Sequence, residues 1–233
     1  MHKAENIKKE LYKIADKEKA IHLSRFFKTG KGEYGEGDIF IGIRVPDQRI
    51  IAKRFPDTAL SEIEKLLDDP VHEFRLTALL ILIELYKKAD EEEKDKIVKF
   101  YLKKTSGINN WDLVDLSAPQ IIGDYFYSRN RDKLYQLVKS THLWEQRIAV
   151  VSTYYFIKRK DFNEILAFSE MLLEHKHDLI HKATGWMLRE AGKMDINVLK
   201  KFLDKYHKTM PRTMLRYSIE KLDNSERQKY MLK

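Results

Sequence analysis

VHEFRLTALLILIELYKK, residues Val71–Lys88, sets Phe74, Leu76, Leu79, Leu80, Leu82, Ile83 and Leu85 along one continuous segment. That pattern predicts a long, strongly apolar helix. The next segment, Asp90 to Lys104, is charged and reads as an amphipathic helix. Such pairs recur toward the C-terminus: Arg131–Lys139 with His142–Lys158, Asn163–Glu174 with Asp178–Gly192, and Ile196–His207 with Pro211–Leu222. A short tail helix follows Asn224. Aligning the inner helices on their first basic residue gives Arg75, Arg147, Lys182 and Arg212, separated by 72 (two steps of 36), 35 and 30 residues. Helix pairs repeating every thirty to forty residues are the signature of an α-solenoid of HEAT or armadillo character. The expected fold is therefore all-α, a single domain over residues 1–233, curved with a concave basic face.

Upstream of Val71 the pattern is helical but less regular. Lys3–Ala15 places Ile7, Leu11 and Ile14 on one face, and Lys19–Phe27 carries Ile21, Leu23, Phe26 and Phe27. Thr29 to Asp38 holds four of the nine glycines and reads as a hinge-like loop. Its Gly30, Gly32 and Gly35 match G-x-G-x-x-G, but the dinucleotide fingerprint needs a strand before it and a helix after. Here a helix precedes and acidic residues follow, so no cofactor is expected. After a short extended piece, Ile39–Val45, Pro46 opens a helix at its favoured first position. Asp57 or Thr58 is placed to cap Ala59–Leu67.

Composition narrows the function classes. Without cysteine, thiol nucleophiles, Cys-ligated zinc and iron–sulfur clusters are excluded. No run approaches the ~18 apolar residues of a membrane span, and the first residues have no apolar leader core, so the cytosol is the default compartment. A net charge of +8 is compatible with a polyanionic partner without requiring one. His177 and His181 stand four apart, with His175 nearby, but no zincin glutamate pattern accompanies them and no metal is expected.

The chemistry-bearing stretch is Asn109-Asn110-Trp111-Asp112-Leu113-Val114-Asp115. As a helix it puts Trp111 and Asp115 on one face, with Asp112 turned away. An indole can pack flat on a sugar while a carboxylate faces a developing positive charge. The plainer alternative is a tryptophan at the edge of the core beside a solvated or capping aspartate. On the repeat alignment, Trp111 lies one step of 36 before Arg147, so Trp111, Asp115, Arg147, Lys182 and Trp186 are expected on one surface, with Arg75 farther along it. Lysines and arginines so placed can grip duplex phosphates, although Arg75 or Arg147 can equally pair with a carboxylate on the next helix. Trp144 is the tryptophan most readily assigned to the core.

Three motifs together, Asn110-Trp111-Asp112-Leu113-Val114-Asp115, Leu143-Trp144-Glu145-Gln146-Arg147-Ile148-Ala149 and Ala183-Thr184-Gly185-Trp186-Met187-Leu188-Arg189-Glu190, resemble the AlkD-type DNA alkylation repair family of HEAT-like-repeat DNA glycosylases. The likeness runs from about Ser24 to the end of the chain. It implies hydrolysis of the N-glycosidic bond of cationic alkylpurines such as 3-methyladenine and 7-methylguanine in duplex DNA. It also implies Asp115 as the catalytic aspartate, Trp111 and Trp186 embracing the deoxyribose, and Arg147 holding the DNA backbone. A monomer without cofactor or metal is expected. The family's tyrosine near the end of the second helix is Phe26 here, and the glycine-rich loop is longer than in its best-known members. A non-catalytic HEAT-like module binding DNA or protein is the main rival. A helix-hairpin-helix glycosylase fails for want of a central glycine-rich hairpin.

Overall fold

The computed structural model describes residues 3–232. It is all-α: no strand occurs among the described residues, and the one bridge of strand type joins Ile39 to Val71. The chain forms two compact units, Met1–Leu113 and Val114–Lys233.

The first unit contains α1 (Lys3–Tyr12), α2 (Lys17–Phe26), α3 (Val45–Ala52), α4 (Leu60–Leu67), α5 (His72–Lys88) and α6 (Glu91–Lys103). Its hub is α5, the stretch on which the sequence reading turned. Phe74, Leu76, Leu79, Leu82 and Ile83 are all at most 1% exposed, and α3, α4 and α6 pack around them. Asp16 caps α2 through the Glu18 and Lys19 amides, and Asp90 with Glu93 forms a capping box on α6. The expected Asp57 or Thr58 cap on α4 does not form: Ala59 takes the cap position without a side-chain bond, and Glu62 accepts instead from the Ala4 amide. Of the apolar side chains that the Lys19–Phe27 segment carries, Phe27 is buried, whereas Ile21 and Phe26 are each 58% exposed.

Buried Glu73 at the head of α5 accepts from the amides of Ile41, Gly42 and Ile43, fixing the extended piece onto the helix. Gly42 is obligatory there, with φ of 85° and space for a Cβ only 2.0 Å from the Asp16 carbonyl oxygen.

The second unit repeats helix pairs: α9 (Asp132–Val138) with α10 (Leu143–Ile157), α11 (Asn163–Met171) with α12 (Asp178–Met194), and α13 (Ile196–Tyr206) with α14 (Arg212–Ser218). A tail helix, α15 (Asn224–Met231), follows. Helix α12 packs on both α10 and α14. Its contact with α14 is close enough that a Cβ on Gly185 would lie 2.4 Å from the Met214 carbonyl oxygen.

In chain order, α6 is followed by α7 (Trp111–Ala118), then by Pro119–Gly123 and α8 (Asp124–Tyr127). A proline inside an apolar helical stretch ordinarily breaks the helix; at Pro119 the chain instead continues through a π turn. Proline has no N–H to give the ladder, and the turn widens, with the Asp124 amide reaching the Pro119 carbonyl five residues back. The Gln120 side chain donates to the Leu116 carbonyl at 2.9 Å, supplying that oxygen with a partner.

Candidate active site

Trp111 opens α7, and its amide donates to Asn110 Oδ1 at 2.8 Å. Its indole stacks on Phe27, centroids 5.0 Å apart and planes 12° from parallel. Phe26 meets it edge-on at 5.9 Å and 71°. The Phe26 ring therefore packs against the tryptophan without offering it a hydroxyl. The indole itself remains half-buried.

Behind the indole is a polar cluster whose members share no local sequence pattern. Asp38, His72, Arg75, Asn110 and Asp112 are all buried. Arg75 Nη2 donates to Asp38 Oδ1 at 2.6 Å, and Asn110 Nδ2 donates to Asp38 Oδ2 at 3.0 Å. His72 lies between Asp38 and Asp112, with ring nitrogens 3.1 and 2.9 Å from their oxygens. Burial alone would lower the His72 pKa, but the two carboxylates outweigh it and raise the value to about 9. Burial likewise pushes Asp38 up, and its bonds to His72, Arg75 and Asn110 hold it below the ordinary carboxylate value. Arg75, expected along the DNA surface, is only 5% exposed and bound inside the protein. The glycine-rich loop is pinned at its far end by Asp38.

Four residues on from Trp111, Asp115 meets a fork. Arg147 Nε donates to Oδ1 at 3.0 Å and Nη2 to Oδ2 at 2.8 Å. Nη1 donates to the Leu179 carbonyl of α12 at 2.6 Å. Arg147 is 4% exposed, so all three of its nitrogens are engaged within the second unit. The alignment placed Trp111 one step before Arg147; in the structure Asp115 lies opposite it, 32 residues away, and Leu179 a further 32 beyond. The register is set by which side chains interlock, and an alignment on the first basic residue misses it by one helical turn.

Trp186 is half-buried on α12 and tilts against Tyr154 at 6.2 Å. Lys182, one turn earlier, pairs with Asp178 at 2.7 Å. Trp144 is 6% exposed and belongs to the core, as the sequence reading preferred. The three histidines do local structural work. His177 Nδ1 accepts from the Leu179 amide to cap α12, His175 Nδ1 accepts from the His177 amide, and His181 Nε2 contacts the His175 carbonyl.

The family model described as DNA alkylation repair enzyme matches residues 7–222. The chain belongs to that family. No curated protein matches it significantly. Among solved structures, a predicted DNA alkylation repair enzyme from Enterococcus faecalis is similar at a TM-score of 0.70 and 16% identity. That alignment covers 90% of this chain and 97% of the other. AlkD2 from Streptococcus mutans is similar at a TM-score of 0.57 and 16% identity, covering 89% and 99%. At that identity the two likenesses establish the shared fold of this DNA alkylation repair family member, not its substrate. No helix among the described residues is long and apolar enough to cross a membrane.

Proposed function

We propose that the chain is a DNA glycosylase that hydrolyses the N-glycosidic bond of N3- and N7-alkylated purines, such as 3-methyladenine and 7-methylguanine, in duplex DNA. The observation that carries this reading is the fixed carboxylate of Asp115: two guanidinium bonds hold it, and it stands on α7 one turn from a stacked, half-buried tryptophan.

A purine alkylated at N3 or N7 already carries positive charge and leaves without a general acid. The remaining task is to stabilise an oxocarbenium-like sugar and direct water to its anomeric carbon, as in glycoside hydrolysis. Asp115 supplies the anion. A preorganised group facing developing charge is typically worth about 3–4 kcal/mol at the transition state. The faces of Trp111 and Trp186 would add cation–π attraction of about 1–2 kcal/mol. Arg147, buried against Asp115, acts first by holding that carboxylate in place. Lys182 and the inner helices on either side would meet duplex phosphates along a concave, basic face of a HEAT-like array. The protein would act as a monomer.

The test is incubation with methylated duplex DNA followed by chromatography of the released bases. Free 3-methyladenine and 7-methylguanine support the reading. A gel shift without base release favours a non-catalytic binding module and contradicts it.

A further inference from the structure

The cluster behind Trp111 is buried, and it grips the chain on both sides of the indole. Asn110, immediately before Trp111, donates to Asp38 at 3.0 Å. Asp112, immediately after it, meets His72 Nε2 at 2.9 Å. Asp38 also meets His72 Nδ1, at 3.1 Å. A second route is aromatic: His72 stacks on Phe40 at 4.5 Å and tilts against Phe27 at 5.1 Å, and Phe27 stacks on Trp111.

We propose that His72 acts as an imidazolium clamp and is a positioning residue for Trp111, tying both neighbours of the indole to the head of α5 and so fixing the attitude of the ring. The consequence for rate rests on the glycosylase reading; the clamp itself does not.

The hydrogen-bond chemistry requires the charge. Each ring nitrogen faces an oxygen of a separate carboxylate, a carboxylate only accepts, and a neutral imidazole has one N–H to give. Charge balance agrees, since His72 and Arg75 offset Asp38 and Asp112. Removing the proton leaves two carboxylates competing for one donor in a buried site, and a bond to one side of Trp111 is lost. The other charged groups around His72 do not replace it. Glu73, on its own helix, is bound to the Ile41–Ile43 amides. Lys19, His22 and Arg44 line a cavity of about 260 Å³ that His72 also borders; Lys19 is paired with Asp16 and Arg44 with Asp47. The elevated His72 pKa keeps the clamp closed at neutral pH.

The experiment is fluorine NMR of the full chain labelled with 5-fluorotryptophan. Its three resonances are assigned by replacing Trp111, Trp144 and Trp186 with Phe in turn. The Trp111 resonance is expected to shift as pH rises, with a midpoint near 9, while those of Trp144 and Trp186 stay in place. Asp112→Asn should lower that midpoint by at least about one pH unit. His72→Gln, which can donate to only one carboxylate, should place the Trp111 resonance at its alkaline position already at pH 7. In single-turnover excision, the same variant should lose at least about tenfold in rate with less than about threefold change in duplex affinity. If His72→Gln does not fold, the wild-type titration and Asp112→Asn decide the matter alone. A Trp111 resonance that does not move between pH 6 and 10 overturns the clamp, whatever the rates. A titrating resonance with no base release upholds the clamp and removes the glycosylase reading.

Discussion

At the scale of single residues, the deciding feature is how Arg147 is used. An exposed arginine on a basic surface would grip phosphate; this one is buried, with Asp115 across its fork and the Leu179 carbonyl on its remaining nitrogen. Lysine keeps the charge but cannot reproduce two parallel bonds. Arg147→Lys is therefore expected to slow excision of 7-methylguanine by at least about tenfold while changing duplex affinity by less than about threefold. Excision kinetics and a binding titration on the same preparation check this. Equal losses in both would return Arg147 to the DNA backbone.

At the scale of elements, the helix pairs were legible in the sequence because apolar spacing reports the buried face directly, as α12 shows, and because a continuous apolar run marks a helix buried all round, as α5 is from His72 to Ile83. Capping and turns were partly legible: Pro46 lies in the first turn of α3, one residue inside its start at Val45, but Ala59 rather than Asp57 or Thr58 stands at the head of α4. The π turn was not visible, because a proline inside an apolar pattern usually signals a stop, and the local Gln120 bond to the Leu116 carbonyl that accommodates it forms only once the helix continues. The site was half legible. Trp111 and Asp115 follow from a spacing of four, whereas Asp38, His72 and Asp112 are 34 and 40 residues apart and share no local pattern. Helix packing yields its own prediction at Gly185. Alanine there would set a Cβ 2.4 Å from the Met214 carbonyl oxygen, forcing α12 and α14 apart at a cost of about 1–3 kcal/mol. Thermal unfolding should show a lowered midpoint, and because Trp186 is the next residue, its fluorescence should shift as well. An unchanged midpoint would mean the two helices have slack that the structure does not show.

At the scale of the whole molecule, pH is the sharpest probe of the buried cluster. The His72 pKa is about 9 in the folded protein, against ~6.5 in an unfolded chain. A raised value means the folded state holds the proton more tightly. The resulting stability is complete below about pH 6.5, falls as pH rises, and is gone above about 9. Its size is on the order of 3 kcal/mol. Asp38 acts with the opposite sign: its pKa is lowered, so its contribution is present above ~3.9 and is lost as pH falls. Urea unfolding between pH 6 and 10 should therefore show declining stability in the wild type and a flatter profile in His72→Gln. Parallel profiles would contradict the charged state assigned to His72.

Binding and chemistry separate most cleanly at Asp115, whose carboxylate is needed for the transition state and not for the grip on DNA. The decisive measurement is single-turnover release of 7-methylguanine from a defined duplex by wild type and Asp115→Asn, with duplex affinity measured alongside. The expected result is a loss of at least about a hundredfold in rate with affinity retained. A variant that releases base at the wild-type rate would contradict the account.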